Sequence, residues 1–235
     1  MYVTGLTDGE GSFIVTLYQR GKSWTVRCSF ELHSRDLLLL HKLQSFFKVG
    51  KVYVRHSRPL ASYSVTRTGD LISVILPHFT KYPLQTQKRS DFLLWSKVLI
   101  LVNSGAHKTE SGLLEIGAMT SSINRGISEK VQAAFPKITP REKPQVRSFQ
   151  TLPHWVSGFS EGEGCFDIKL TARASGKTQV ETRFRLVQHI RDKALLERIL
   201  SFFDCGKVCI RSNGKAADYC VNNFPSAVKV IVPFF

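Results

Sequence analysis

Gly5-Leu6-Thr7-Asp8-Gly9-Glu10-Gly11-Ser12-Phe13 returns 153 positions later as Gly158-Phe159-Ser160-Glu161-Gly162-Glu163-Gly164-Cys165-Phe166. A single Asp-Gly-Glu-Gly is ordinarily a solvated turn, so the recurrence gives the phrase its weight. The chain after each copy repeats too. Phe46-Phe47-Lys48-Val49-Gly50-Lys51-Val52 matches Phe202-Phe203-Asp204-Cys205-Gly206-Lys207-Val208 at an offset of 156. At the same offset Arg35-Asp36 matches Arg191-Asp192, Tyr63 matches Tyr219, and Pro77 and Phe79 match Pro233 and Phe235. The change from 153 to 156 places a three-residue insertion in the first hairpin loop, around Ala174-Ser175-Gly176. A unit this long exceeds solenoid periods and reads as two pseudo-symmetric domains.

The bulk numbers fit two modest domains, each with its own core. The chain has 235 residues, with 43% hydrophobic and 22% charged residues, ordinary values for a folded protein. Its net charge of +15 is not ordinary and points to a polyanionic partner, nucleic acid or an acidic membrane surface. Insertion into a membrane is not expected, because the best apolar stretch, Phe92 to Val102, is short and interrupted by Ser96 and Lys97. Met1-Tyr2 leads straight into motif residues, so no signal peptide is expected. Five cysteines, Cys28, Cys165, Cys205, Cys209 and Cys220, share no metal-ligand spacing. They read as reduced, mostly buried small hydrophobes of an intracellular protein.

Periodicity gives the elements. Each motif opens as a helix, Tyr2 to Gly9 and Pro153 to Gly162, with Gly11 and Gly164 expected as C-terminal stop glycines. Hairpins of period two follow. Phe166, Ile168 and Leu170 alternate with Asp167, Lys169, Thr171 and Arg173, and the return strand sets Val180, Thr182, Phe184 and Leu186 against Gln179, Glu181, Arg183 and Arg185. The first copy sets Trp24, Val26, Cys28 and Phe30 against Thr25, Arg27, Ser29 and Glu31. Each hairpin therefore has one apolar face and one polar, largely basic face. A helix from Asp36 or Asp192 comes next, then short strands at 51–56 with 61–67, and at 207–211 with 219–222. Further helices are expected over 70–79, 87–104 and 109–124. The domains run over 1–125 and 153–235, and the proline- and lysine-containing stretch 126–152 reads as a linker. Trp24, Trp95 and Trp155 are expected in the core.

The chemistry lies in the motif. Gly5 and Gly9, like Gly158 and Gly162, sit one helical turn apart, so two such helices can approach backbone to backbone. Packed together, they would bring Glu10 and Glu163 side by side at their C-terminal ends, where unpaired carbonyls carry the negative dipole end. Two carboxylates about 4 Å apart repel by about 4 kcal/mol at an effective dielectric near 20. Such a site needs cations, and all-oxygen ligands suit Mg²⁺ or Mn²⁺. Metal ions that bridge water, phosphate and leaving oxygen hydrolyse phosphodiesters. The basic strand residues Arg20, Arg27, Lys169, Arg173, Arg183 and Arg185, with Tyr18, Arg67 and Arg211, are candidate DNA contacts. His33 and His189 occupy matching positions and are assigned structural or DNA-contacting roles rather than metal ligation.

Helices that end in Asp8-Gly9-Glu10-Gly11 and Glu161-Gly162-Glu163-Gly164, together with Lys48-Val49-Gly50-Lys51-Val52, Lys81-Tyr82-Pro83 and Thr86-Gln87-Lys88, resemble the single-chain, two-motif LAGLIDADG homing endonucleases. The likeness covers nearly the whole chain and is nearest to intron-encoded enzymes of fungal mitochondria. It implies an α+β fold of two αββαββα domains whose antiparallel sheets form a DNA-binding saddle in the major groove of a long, quasi-palindromic double-stranded site. It further implies that Glu10 and Glu163 hold the metals, assisted by the backbone carbonyls of Gly9 and Gly162. The family's active-site lysine matches Lys88, and a polar pocket residue matches Gln188, whose counterpart in the first half is Leu32. Mg²⁺ is the implied cofactor, with Mn²⁺ able to substitute and Ca²⁺ supporting binding without cleavage. A monomer in the mitochondrion is implied as well.

The first repeat continues past Phe79 through about 45 residues that contain two helices and Lys88, whereas the chain ends at the counterpart, Phe235. The second domain is therefore expected to lack its C-terminal helices and to expose an apolar face. Sequence-specific double-strand cleavage is the leading functional expectation. The alternative is a non-catalytic nucleic-acid binder, either an RNA maturase that aids intron splicing or a DNA-binding remnant.

Overall fold

The computed structural model describes residues 1–34, 36–55, 60–146, 151–173 and 176–235. Arg35, Ala174 and Ser175 of the hairpin loop, His56 at the expected strand end, and the 147–150 part of the linker lie outside the described residues. The strand registers put one extra residue in that hairpin, not the expected three, and the other two after its return strand. The first repeat contains α1 (Tyr2–Glu10), β1 (Gly11–Arg20), β2 (Ser23–Ser34), α2 (Leu37–Phe47), β3 (Lys51–Arg55) and β4 (Leu60–Val65). It continues with α3 (Thr68–Asp70), α4 (Leu76–Lys81), α5 (Lys88–Asn103), α6 (Glu110–Thr120) and α7 (Glu129–Ala134). The second repeat contains α8 (Pro153–Glu163), β5 (Gly164–Ala172), β6 (Thr178–His189), α9 (Lys193–Phe203), β7 (Lys207–Ile210), β8 (Ala216–Val221), α10 (Phe224–Ser226) and α11 (Val232–Phe234). The class is α+β, with two antiparallel four-stranded sheets of identical topology, β1-β2-β4-β3 and β5-β6-β8-β7. Among the described residues no helix is long and apolar enough to cross a membrane.

Contacts divide the chain into two compact units, Met1–Gly9 with Ser148–Phe235, and Glu10–Arg147. The boundary falls at the last peptide bond of α1. Within each unit the repeated residues do repeated work. The Tyr63 hydroxyl donates to the Val49 carbonyl at 2.8 Å, and the Tyr219 hydroxyl donates to the Cys205 carbonyl at the same distance. Both tyrosines are fully buried, and burial lifts both phenols above their ordinary pKa, so each bond keeps its proton. Gly50 (φ 78°) and Gly206 (φ 89°) adopt left-handed backbone just before β3 and β7. A β-carbon there would lie 2.7 Å from the Ser64 carbonyl or 2.6 Å from that of Cys220, which is why the Gly-Lys-Val phrase recurs.

The core of the Glu10–Arg147 unit is aromatic. Phe13, opposite Phe30 in the β1–β2 register, meets Phe30, Phe79, Phe92 and Trp95 at centroid distances of 5.1–5.3 Å. Helix α5 supplies Phe92 and Trp95 to this face, and the Trp95 indole donates to the Ile14 carbonyl. In the other unit Trp155, Phe159, Phe184, Leu196, Phe203 and Tyr219 lie in one cluster. The outer part of its hairpin is uncovered: Phe166, Ile168, Leu170 and Val180 are 60–68% exposed. The expected apolar face is there.

Several expectations needed correction. Gly164 closes α8 in extended backbone, φ −76° and ψ 141°, not in a left-handed cap. Glycine is required there because a side chain would strike the Ser160 carbonyl at 2.3 Å. The helix expected over 70–79 is a run of α3, a π-helical turn at Leu71–Ile75 and α4. Of the five cysteines only Cys28 is buried; Cys165 and Cys209 are exposed, because they fall on the outward faces of β5 and β7. Trp24 is half-buried against Phe135, whereas Trp95 and Trp155 are fully buried. The start of the expected linker is packed: Ser128 caps α7, Val131 and Ile138 are buried, and Lys143 pairs with Asp91 at 2.6 Å.

Candidate functional site

Helix α1 up to Gly9 packs against α8 within one unit, and the glycines set the approach. A β-carbon at Gly5 would lie 2.0 Å from the Trp155 carbonyl, and one at Gly158 would lie 2.0 Å from that of Tyr2. Only glycine permits this backbone-to-backbone contact. At the lower end of the pair a β-carbon on Gly9 would lie 3.3 Å from both the Glu163 Cγ and the Gly162 Cα. The interface is locked by polar contacts. Asp8 is buried and accepts a hydrogen bond from the Trp155 indole at 2.8 Å. Arg198 on α9 faces the charges of Asp192 and Asp8.

Glu163 ends α8 and is half-buried. Glu10 ends α1 and opens the other unit, where Lys88 and His33 share its surroundings. Glu10 as a residue is exposed, yet atoms packed about its carboxyl strip part of its water and raise its pKa above the usual carboxylate range. The positive charge of Lys88 and of His33 opposes that rise. The carboxylate is thus short of the solvation it would have in water, a condition that favours a cation nearby. Lys88 is the first residue of α5, with its backbone N–H on the Thr86 hydroxyl at 3.2 Å.

Among the described residues no group of three or more His, Cys, Asp or Glu forms a metal-ligand cluster. What the motifs offer is one carboxylate each, plus the carbonyls at a helix C-terminus. That donor set is all oxygen, and it fits a hard divalent ion that keeps part of its water shell. Gln188 lies on β6 opposite Ala217, on the side of the sheet that carries buried Phe184 and Leu186. The registers correct two expected matches. Leu32 stands opposite Tyr63 as Leu186 stands opposite Tyr219, so the counterpart of Gln188 is Ser34, not Leu32, and that of His33 is Val187, not His189. The reason is that β2 and β6 are offset by 154 residues rather than 156.

The basic residues sort onto the outward sheet faces. In the first sheet Arg27 stands opposite Thr16 beside Tyr18 and Arg20. Its guanidinium lies 5.4 Å from the Tyr18 ring centroid. In the second sheet Arg183 and Arg185 stand opposite Asp167 and Cys165, and Lys169 stands opposite Glu181. Arg173 and Arg211 fall just past the ends of β5 and β7, and Arg67 precedes α3 instead of lying on a strand. Sequence reasoning missed the acids among these bases. Asp167 binds Arg183 at 2.5 Å and Arg185 at 2.7 Å, and Asp218 binds Arg211 at 2.9 Å. Alternation had put Asp167 on this face, but only the strand register shows which arginines it meets.

Comparison with known proteins gives one consistent result. The family described as LAGLIDADG endonuclease matches residues 3–99 and 156–235. A protein of Neurospora crassa named probable intron-encoded endonuclease 3 is 34% identical over 242 residues, 99% of this chain and 45% of the relative. The chain thus spans about half of that relative, and 54% of a second from the same organism. Among solved structures, the I-SmaMI LAGLIDADG homing endonuclease bound to cleaved DNA is 36% identical, with a TM-score of 0.95. That match covers 100% of this chain and 81% of the neighbour. I-SmaMI bound to an uncleaved DNA target in the presence of calcium ions matches at 35% identity and a TM-score of 0.94, over 100% of this chain and 82% of the neighbour.

Proposed function

The chain belongs to the LAGLIDADG endonuclease family, and from that premise we propose that it is a sequence-specific, Mg²⁺-dependent enzyme that cuts both strands of a long duplex DNA site. The observation that carries this reading is the presence of an intact glutamate, Glu10 and Glu163, at the end of each motif helix. A pure binder has no need of a glutamate at the same place in both repeats. The neighbour in complex with cleaved DNA supports the reading. So do the intron-encoded relatives, which also favour a mitochondrial setting.

In this scheme Glu10 and Glu163 are the carboxylate ligands of the divalent ions, and the carbonyls of Gly9 and Gly162 complete the protein's share of oxygen donors. The bound ions would polarise the scissile phosphate and lower the pKa of an attacking water. Lys88, whose charge already acts on Glu10, would hold positive charge toward the reacting phosphate and water in one half. Gln188 would orient water by hydrogen bonding in the other.

The outward strand residues would supply base readout by Arg, Lys and Gln in the major groove, and phosphate contacts would supply salt-dependent affinity. Mn²⁺ should replace Mg²⁺, while Ca²⁺ should hold the complex without turnover, in keeping with the calcium-bound uncleaved neighbour. The test is a cleavage selection from a randomised duplex library. One enriched site in Mg²⁺ and none in EDTA is the expected result; cleavage in EDTA, or intact DNA throughout, would reject the assignment.

A further inference from the structure

A surface that binds a polyanion gains nothing electrostatically from acids, yet the basic face of the second sheet carries two that are fully engaged. Arg183 gives its Nε to Asp167 at 2.5 Å, and Arg185 gives an Nη to the other carboxylate oxygen at 2.7 Å. Arg211 gives its Nε to both oxygens of Asp218, at 2.9 and 3.0 Å. All five side chains share one side of the sheet, since Asp167 faces Arg183 across β5–β6 while Cys165, Arg185 and Cys220 form the next row. The Asp167 and Arg183 side chains are equally exposed, 24% each, while Arg211 at 43% stands further out than Asp218 at 17%. Hydrogen bonds from Arg183 and then Arg185 hold the Asp167 carboxyl below the usual carboxylate range, which keeps it ionised at neutral pH.

The contact atoms matter. A guanidinium has five N–H donors in a rigid fork. Bonding through Nε leaves both terminal nitrogens of Arg183 and of Arg211 for another partner, and that pair matches the O6 and N7 acceptors of guanine. A fork already fixed by a carboxylate loses less conformational freedom when it binds. Among the described residues the first sheet shows no carboxylate–arginine pair of this kind. Arg27, on the outward face of β2 at the position that Glu181 holds in β6, meets the Tyr18 hydroxyl at 3.5 Å and the Tyr18 ring among the described residues. Its carboxylate neighbour Glu31 accepts from the hydroxyls of Ser29 and Ser64 instead. At the repeat counterparts of Asp167 and Asp218 stand Ile14 and Ser62.

We propose that Asp167 and Asp218 are positioning residues that set sequence specificity, holding Arg183 and Arg211 as fixed guanine-reading forks. The second sheet then reads its half of the duplex more strictly at guanine than the first sheet reads the other half. This rests on the DNA-endonuclease reading above and adds to it an unequal division of specificity.

The test is binding selection by the full chain in Ca²⁺ from a randomised duplex library, with wild type, Asp167→Asn, Asp218→Asn and Arg183→Lys compared. Thermal melting and affinity for an unselected duplex are measured alongside. The expected wild-type result is guanine preference concentrated in one half of the selected site. Each variant should lose about tenfold of that preference at one or two positions. The two Asn variants should hold unselected DNA as tightly as wild type or more tightly, and none should melt appreciably lower. If the Asn variants keep the wild-type base preferences, or lose affinity for all DNA together with a lowered melting point, the acids are structural and the proposal fails. A wild-type pool with no preference at all would overturn the endonuclease reading itself, and this proposal with it.

Discussion

Glu10 is the residue whose surroundings say most. Atoms packed about its carboxyl lift the pKa above the usual range against the pull of Lys88 and His33, so the folded chain binds a proton there more tightly than the unfolded chain does. A carboxyl of this kind contributes its full stability below the ordinary carboxylate pKa and loses it as pH rises through the folded value. Glu10→Gln should therefore melt at a higher temperature than wild type at pH 7 without metal, and the difference should vanish toward pH 4. Melting curves at the two pH values decide this, and a variant less stable at pH 7 would mean that the ionised side chain is needed by the fold. The recurrence of Glu10 and Glu163 at the end of each motif helix is readable from the duplicated motif alone. The desolvation of the Glu10 carboxyl and its neighbours Lys88 and His33 are not, because residues 78 and 23 positions away meet it only through the fold.

At the level of elements, the same repeat position meets different fates. Phe13 is fully buried among four aromatic rings, while its counterpart Phe166 is 60% exposed. Truncation of a packed core phenylalanine costs about 3–5 kcal/mol, whereas truncation of a mostly exposed one costs about 1 kcal/mol or less. Guanidinium unfolding of Phe13→Ala and Phe166→Ala should show that gap, and equal losses would mean that the second hairpin's apolar face is covered in solution. The period-two pattern of both hairpins, the Tyr63 and Tyr219 anchors and the Gly-Lys-Val turns all follow from local spacing, which is why they were readable in advance. The extended backbone at Gly164, the π-helical turn at Leu71–Ile75 and the packing of Ile138 onto Gly117 were not. Each depends on an atom brought from elsewhere, such as the Ser160 carbonyl that forbids a side chain at Gly164. Cysteine is read as a small hydrophobe by default, and so the outward placement of Cys165 and Cys209 escaped a reading based on composition.

For the whole molecule, two sheets of one topology carry unlike chemistry. On the first, Arg27 meets the Tyr18 hydroxyl and ring; on the second, Arg183 and Arg211 are held on Asp167 and Asp218. A net charge of +15 favours nucleic acid without regard to sequence, so in the proposed function discrimination and cutting fall to particular side chains. The duplication explains why one carboxylate appears per half, and the central claim is that both are needed for one reaction. The most direct test incubates wild type, Glu10→Gln and Glu163→Gln with a selected duplex in Mg²⁺, with binding measured in Ca²⁺. Each substitution is expected to lower the cleavage rate at least 1,000-fold, about 4 kcal/mol of transition-state stabilisation, with affinity within about twofold of wild type. Wild-type cleavage by either variant would contradict the account.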